Sequence, residues 1–182
     1  MNATALVAVA DGSEDIETVT IVDVLRRAGV EVTLASVHDR REITLARKTA
    51  ILADATISES SDRQYDLIAL PGGMPGTEHL RDCNTLMTMV RTQREAGRWY
   101  AAICAAPAVA LMHHGLLEGK SATGHPRFMD PLPDGGSEDR VVIDGNCITS
   151  RGPGTAIEFS LALVGALCGD EKREEVAAPM VI

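Results

Sequence analysis

Cys104 stands where a buried strand should meet a helix. The apolar run Trp99–Ile103 contains aromatic and β-branched residues, which is typical of a buried strand. The Ala-rich sequence after it favours a helix, with Pro107 where a first helical turn tolerates proline. At such a join the side chain points toward solvent, beside unpaired helix N–H groups that favour a thiolate. The position therefore predicts a reactive cysteine; the alternative is a small apolar core residue.

Glu17 is the candidate acid. It lies just inside the helix that should follow the first strand, where a carboxylate is commonly a solvated charge that stabilises the helix dipole. Glu14 and Asp15 precede it, so this turn has more carboxylates than stabilisation of the helix dipole requires. If its side chain points over the sheet edge, Glu17 would act as a general acid/base to a substrate oxygen near the cysteine.

Two further features fall after predicted strands. Gly72 and Gly73 follow one strand, and their N–H groups, together with that of Ala105, would donate to a developing oxyanion. A Pro-Gly-Gly sequence is, however, also an ordinary turn. His125 follows another short strand; a lone histidine more often packs in a core or lies at the surface, so only its position at this edge makes it a candidate.

The order of predicted elements explains why these residues would meet. A strand, a helix ending at Ala28 and Gly29, and a second strand fit within 37 residues, which implies a right-handed crossover and a parallel sheet. Ligands bind at the carboxyl ends of such strands. We therefore predict an α/β sandwich, mainly parallel, with helices on both faces. Its further elements are strands at 65–70, 99–103 and 121–123, a helix at 77–96, and hairpins within 43–57 and 141–149.

Composition restricts the class of protein. The chain has 182 residues, 45% of them hydrophobic, which predicts one globular domain over residues 1–182. A net charge of -9 without clustered Lys and Arg argues against a dedicated nucleic-acid surface. Early acids exclude a signal peptide and no apolar run is long enough to span a bilayer, so we expect a cytoplasmic protein. Four cysteines without metal-site spacing predict reduced thiols and no structural zinc.

Five short stretches together resemble the ThiJ/PfpI superfamily, in particular its parkinsonism-associated protein deglycase (DJ-one) branch with the bacterial homologues. The resemblance covers nearly the whole chain and implies a flavodoxin-like three-layer sandwich without cofactor or metal. It also implies a homodimer, with Arg27 and Arg47 near the interface. The matching stretches are residues 11–18, 70–73, 101–107, 124–126 and 150–155.

The resemblance assigns a role to each candidate residue. Cys104 matches the family's oxidation-sensitive nucleophile, and Glu17 matches the acid that hydrogen-bonds to its sulfur. His125 matches the nearby histidine of the glyoxalase-type site. The backbone oxyanion donors match Gly73 and Ala105.

Two departures narrow the function. Ala105 stands where the protease-like branch has a histidine, so a Cys-His peptidase dyad is not expected. The downstream His-x-Glu pair of glutamine amidotransferases is also missing from the sequence. The remaining hypothesis is a cysteine-dependent glyoxalase or protein deglycase that acts on methylglyoxal, glyoxal or their early adducts. The alternatives are an oxidative-stress sensor or chaperone whose Cys104 is oxidised to the sulfinate, and a scaffold without activity.

Overall fold

A computed structural model describes residues 2–182 as a central sheet with helices on both faces. The strands of this sheet are β1 (Thr4–Val9), β2 (Glu31–Ser36), β5 (Ala55–Thr56), β6 (Leu67–Leu70), β7 (Trp99–Ile103), β8 (Val141–Asp144) and β9 (Cys147–Ser150). Their order is β5-β2-β1-β6-β7-β9-β8. Only β8 runs antiparallel to its neighbour, so the predicted mainly parallel sheet is confirmed.

Helices cover the sheet on both sides. They are α1 (Asp15–Arg27), α2 (Ile57–Ser60), α3 (Gly76–Asp82), α4 (Asn84–Glu95), α5 (Ala156–Cys168) and α6 (Asp170–Ala177). Alternate residues of each strand enter different cores: Val7 of β1 packs with α1 and α5, whereas the next residue, Ala8, faces the core that α3 and α4 cover. Burial on both faces explains the near-continuous apolar runs in the sequence.

A separate hairpin confirms the prediction made for residues 43–57. Its strands are β3 (Glu42–Thr44) and β4 (Ala50–Leu52), paired antiparallel. Two hydrogen bonds fasten its turn to the start of α1: Arg47 N–H donates to Asp15 Oδ2 at 2.8 Å, and Ala46 N–H donates to the Ser13 carbonyl at 2.8 Å. The hairpin therefore holds Arg47 close to the carboxyl edge of the sheet.

Two predicted elements differ in the structure. The helix expected at 77–96 is broken at Cys83, which is extended (φ -81°, ψ 95°) and separates α3 from α4. Asn84 follows this break, and asparagine favours helix ends because its side chain competes for backbone hydrogen bonds. Residues 121–123 form no strand: Thr123 N–H donates to the Thr149 hydroxyl at 3.0 Å, so a side chain replaces the backbone ladder.

The three cysteines other than Cys104 differ in exposure. Cys168 is exposed, Cys83 is half-buried and Cys147 is buried. Across residues 2–182, no helix has the length and apolarity needed to cross a membrane.

Candidate active site

Cys104 occupies a sharp turn between β7 and the following helical segment. Its φ of 67° lies in the left-handed region, which costs a residue with a Cβ roughly 1–2 kcal/mol. Two backbone hydrogen bonds hold the turn: Cys104 N–H donates to the Ser150 carbonyl at 2.9 Å, and the Cys104 carbonyl accepts from His125 N–H at 2.8 Å. A nucleophile on a strained strand-to-helix turn is a recurring arrangement in hydrolases.

The segment after Cys104 is less regular than the predicted α-helix. Pro107–Leu111 forms a π-helical turn, and Met112–His114 forms a 3-10 turn that ends at Gly115 in the left-handed conformation. The side chain of Cys104 is 9% exposed, so it does not project freely into solvent as expected. It lies instead at the floor of a cavity.

Glu17 enters the site because it lies on the buried face of α1. That face follows the spacing Glu17, Ile21, Val24 and Leu25, which is the stripe of a helix packed on a sheet. The Glu17 side chain is fully buried. The sequence of α1 also has apolar residues at Ile16 and Val19, which are exposed in the structure, so apolar spacing alone did not predict the inward orientation of Glu17.

The two carboxyl oxygens of Glu17 have different surroundings. Oε2 accepts a hydrogen bond from Gly72 N–H at 2.7 Å. Oε1 is buried and has no hydrogen-bond partner within the described chain, although the Cys104 side chain interacts with this carboxyl group. A buried carboxylate oxygen without a donor is unfavourable, and protonation would remove that cost. A proton on Oε1 would then be available to the neighbouring sulfur.

Gly72 is required for this contact. A Cβ at this position would lie 2.5 Å from the Cys104 Cβ and 2.9 Å from Glu17 Oε2. Heavy atoms do not approach so closely, so any side chain would force the cysteine and the acid apart. The glycine therefore allows β6 and β7 to place their carboxyl ends against Glu17.

Burial changes the proton affinity of the Glu17 carboxyl group. It raises the pKa of Glu17 from 4.5 to about 7, and the charge of nearby Glu14 acts in the same direction. The hydrogen bond from Gly72 and the interaction with Cys104 lower it in part. Glu17 therefore exchanges a proton close to neutral pH, as a general acid/base should.

The sequence predicted a low thiol pKa, but burial raises the pKa of Cys104 from 9.0 to about 12. The negative charge of Glu17 and its interaction with the neighbouring thiol add to this effect. Both contributions depend on an ionised Glu17, so they disappear when the carboxyl group binds a proton. The thiol and the carboxyl group consequently titrate as a pair that shares one proton.

Two backbone N–H groups oppose the effect of burial. Those of Gly73 and Ala105 lie close enough to the Cys104 sulfur to lower the pKa of its thiol. Gly73 has φ 89°, and a Cβ there would lie 2.4 Å from the Glu14 nitrogen, so the turns after β1 and β6 interlock. Negative charge on or near the sulfur therefore meets two fixed donors.

His125 lies beside the same space. Its Nδ1 accepts a hydrogen bond from Arg127 N–H at 3.2 Å and caps the 3-10 turn Pro126–Phe128. This bond assigns the proton of the neutral ring to Nε2. A Cβ built on Gly152 would lie 3.6 Å from His125 Cδ2 and 4.0 Å from Cys104 Sγ, so the ring and the sulfur flank one gap.

A cavity of about 340 Å³ opens onto the cysteine. Apolar side chains from Met74, Phe128 and Pro153 line part of it, and the charged side chains of Glu14, Arg47 and Arg127 line another part. Sequence reasoning missed these lining residues because no local pattern marks them. Among residues 2–182, no three His, Cys, Asp or Glu side chains lie close enough together to hold a metal ion.

The family model for the DJ-1/PfpI family matches residues 3–166. The chain belongs to the DJ-1/PfpI family. As a DJ-1/PfpI protein it resembles protein DJ-1 homolog A of Arabidopsis thaliana, with 47% identity over 182 residues that cover 98% of this chain and 46% of that protein. It therefore spans less than half the length of this relative.

Two further comparisons extend the family assignment. The glutathione-independent glyoxalase DJR-1.2 of Caenorhabditis elegans is 34% identical over 175 residues, which cover 94% of this chain and 92% of that protein. The solved structure of oxidized Toxoplasma gondii DJ-1 is 46% identical and matches with a TM-score of 0.96 over 98% of both chains. The predicted flavodoxin-like α/β fold is thereby confirmed.

The structure of this DJ-1/PfpI protein brings all the sequence-predicted site residues to one edge of the sheet. They are Cys104, Glu17, His125, Gly73 and Ala105. Their catalytic roles remain predictions. Arg47 lines the cavity as well, whereas Arg27 lies on the outer face of α1 and pairs with Asp23 at 2.8 Å.

Proposed function

We propose that the chain is a cofactor-independent glyoxalase or protein deglycase that acts on methylglyoxal, glyoxal or their early adducts with amines and thiols. The observation that carries the proposal is the pair formed by the Cys104 thiol and the Glu17 carboxyl group, one oxygen of which is buried without a hydrogen-bond partner. The glyoxalase named among the relatives supports the same reaction. The overall change is the addition of water to an α-oxoaldehyde to give a 2-hydroxy acid.

The first step forms a carbon–sulfur bond. Glu17 accepts the thiol proton as Cys104 Sγ attacks the aldehyde carbon, which gives a hemithioacetal. The negative charge that develops on the aldehyde oxygen lies near the Gly73 and Ala105 N–H groups, which stabilise it. The raised pKa of Glu17 matches this task, since the carboxyl group then holds the proton it has received.

The second step moves hydrogen between adjacent carbons. Glu17 first gives the thiol proton to the hemithioacetal oxygen, so that it is again a carboxylate. Assisted by His125, this carboxylate removes the proton from the former aldehyde carbon and delivers it to the neighbouring carbonyl oxygen, which gives an enediol. A proton then returns to the neighbouring carbon as the oxygen of the former aldehyde loses its own. The product of this transfer is a thioester of a 2-hydroxy acid on Cys104. Water then attacks the thioester, the hydroxy acid leaves, and the thiol regains its proton.

Turnover measurements test the proposal. We expect wild-type protein to convert methylglyoxal into lactate, and both Cys104→Ala and Glu17→Gln to lose nearly all of that activity. Cys147→Ala is the matched control because Cys147 is also buried but lies outside the cavity. Lactate formation that persists in either site variant would contradict the mechanism.

The oxidation hypothesis is a second candidate, because the unpartnered Glu17 oxygen and the two N–H groups would also hold a sulfinate on Cys104. Mass spectrometry after mild peroxide treatment separates the two. Addition of two oxygens selectively at Cys104, together with negligible turnover of methylglyoxal, would favour a sensor.

Self-association also belongs to the proposal. Ile16 and Val19 on α1 and Leu52 on β4 are exposed apolar side chains, and they support the expected homodimer. Sedimentation velocity of wild type against Val19→Glu tests it. A wild-type protein that sediments as a monomer at micromolar concentration would contradict it.

A further inference from the structure

Arg127 differs from every other arginine of the chain. Within residues 2–182, each other arginine side chain makes a hydrogen bond or an ion pair, whereas the guanidinium of Arg127 makes neither. Its side chain is exposed and lines the cavity that opens onto Cys104. A guanidinium without a protein partner offers all five of its N–H groups to a ligand.

The backbone fixes the position of Arg127 relative to the reacting groups. Its N–H donates to His125 Nδ1, and its 3-10 turn follows directly from the segment bonded to the Cys104 carbonyl. The turn also carries Phe128, whose ring lies 6.0 Å from that of His125 and forms an apolar wall of the cavity. The arginine therefore lines the same cavity as the sulfur and the apolar Phe128 ring.

A second cation stands at the same opening. Arg47 lines the cavity and is only loosely paired, at 3.9 Å from Glu14 Oε2, with its side chain 76% exposed. The chain as a whole carries a net charge of -9, so two such guanidinium groups at one cavity form a local exception. These two guanidinium groups outnumber the one carboxylate among the lining residues, that of Glu14, and such an excess of positive charge attracts anions to the cavity.

We propose that Arg127 is a specificity-determining residue that binds a carboxylate or phosphate at the far end of the substrate. The inference rests on the proposed function and names its substrate class: α-oxoaldehydes whose carbonyl pair is joined by a short aliphatic linker to an anionic group. The aldehyde carbon lies at Cys104 Sγ, the linker lies along Phe128, and the anion forms a bidentate pair with Arg127. Methylglyoxal, which has no anionic end, gains nothing from this contact.

A charged substrate and its neutral ester test the inference. The probes are 4,5-dioxopentanoate and its methyl ester, assayed on wild type, Arg127→Gln and the control Arg91→Gln. Arg91 lies on α4 outside the cavity, so this control removes the same charge elsewhere. We expect Arg127→Gln to lower kcat/KM for the acid by about 3- to 10-fold, mainly through KM, since the pair is partly exposed to solvent. The product measured is 2-hydroxypentanedioate.

The neutral probes make the result specific. Turnover of the methyl ester and of methylglyoxal should change less than about twofold in Arg127→Gln, and raised salt should narrow the difference between acid and ester in wild type. Equal loss with acid and ester, or no loss with the acid, would overturn the inference. Similar losses in Arg91→Gln would overturn it too, since they would show a long-range charge effect.

Binding measurements keep the inference distinct from the proposed function. If wild-type protein does not turn over methylglyoxal, the proposed function is wrong. The affinity of the protein for an anionic ligand then tests the role of Arg127 independently of turnover. The unreactive ketone 4-oxopentanoate should bind Cys104→Ala more tightly than its methyl ester does, and Arg127→Gln added to that variant should remove the difference. Displacement of bound 4-oxopentanoate by acetate and by inorganic phosphate, measured separately, identifies the anion that the site prefers. If neither anion displaces it, the inference is wrong.

Discussion

Strand β7 has a buried cysteine near each of its ends, and only one of them faces a cavity. Cys104 follows the carboxyl end of β7, whereas Cys147 begins β9 and pairs in register with Tyr100 near the amino end of β7. Burial raises the pKa of each thiol to about 12. Burial and thiol acidity therefore do not distinguish the two cysteines.

The partner of each thiol does distinguish them. Cys147 lies against the Tyr100 phenol, whose own pKa is raised by burial and whose hydroxyl donates to the Leu116 carbonyl at 2.9 Å. That phenol stays protonated at any physiological pH. Cys104 lies against Glu17, which has a pKa of about 7 and exchanges its proton near neutral pH. A buried thiol becomes a candidate nucleophile when its partner can take up the proton and a cavity admits the substrate.

The backbone shows the same contrast. Cys147 lies in a regular strand and its hydrogen bonds follow the sheet, whereas Cys104 has a left-handed backbone held by Ser150 and His125. Strained conformations of this kind concentrate at functional sites. The fold accepts strain at Cys104 and has none at Cys147.

The largest expected effect concerns the two proton partners. Glu17→Gln keeps the size of the side chain but removes its proton exchange, so we expect kcat/KM for methylglyoxal to fall by about 10²–10⁴-fold. Tyr100→Phe should stay within about threefold of wild type, because the phenol does not exchange its proton. Steady-state lactate formation measures kcat/KM of both variants. Comparable losses in the two variants would show that the proton partner does not distinguish Cys104 from Cys147.

The free energy of unfolding should depend on pH because of Glu17. Folded Glu17 holds its proton up to about pH 7, whereas in the unfolded chain it releases the proton near 4.5. The folded state therefore binds more protons between these values, and the free energy of unfolding falls as pH rises through them, by an amount on the order of 3 kcal/mol. Urea unfolding of Glu17→Gln should lack this fall and show a more stable protein at about pH 8.

Cys147→Ala is the control for that pH dependence. Its thiol is neutral in both folded and unfolded states below about pH 8, so its removal should lower stability equally at each pH. If the free energy of unfolding of the wild type stays constant from pH 4.5 to about pH 7, the pKa of the Glu17 carboxyl group is not raised in the folded protein.

A smaller effect is expected from Gly72→Ala. The added methyl group would meet Cys104 Cβ at 2.5 Å and Glu17 Oε2 at 2.9 Å, so the pair should separate and turnover should fall at least about tenfold. Overpacking of this kind costs about 1–3 kcal/mol of stability. Gly154→Ala is the matched control, because a Cβ there meets no atom within 4 Å. Thermal unfolding and lactate assays on both variants check the prediction.

The smallest effect belongs to the Tyr100 hydroxyl. Tyr100→Phe removes the donor to the Leu116 carbonyl and leaves that oxygen without its partner, which should cost about 1 kcal/mol. Equilibrium unfolding by urea measures it. Unchanged stability would mean that the Tyr100 hydroxyl does not stabilise the fold. A large loss of turnover would mean that Tyr100 and Cys147 take part in the reaction, contrary to their position outside the cavity.

Most of the fold followed from local sequence. The opening strand-helix-strand unit, the hairpin turning near residues 144–145 and the buried strands are all present in the structure because their apolar patterns match the faces they bury. The break at Cys83 and the missing strand at 121–123 were not predicted. The missing strand depends on a hydrogen bond from Thr123 N–H to the distant Thr149 hydroxyl, which no local pattern records, whereas Asn84 is the one local signal for the break at Cys83.

The sequence by itself determined which residues could meet, because the carboxyl ends of parallel strands converge. Together with the family resemblance, this convergence selected Cys104, Glu17 and His125. The tertiary structure alone decided that burial raises the pKa of both Cys104 and Glu17 and that Gly72 leaves room for their contact. It alone left Arg127 unpartnered within residues 2–182. Proton affinity and pairing depend on the atoms packed around each group, and these atoms come from segments far apart in the chain.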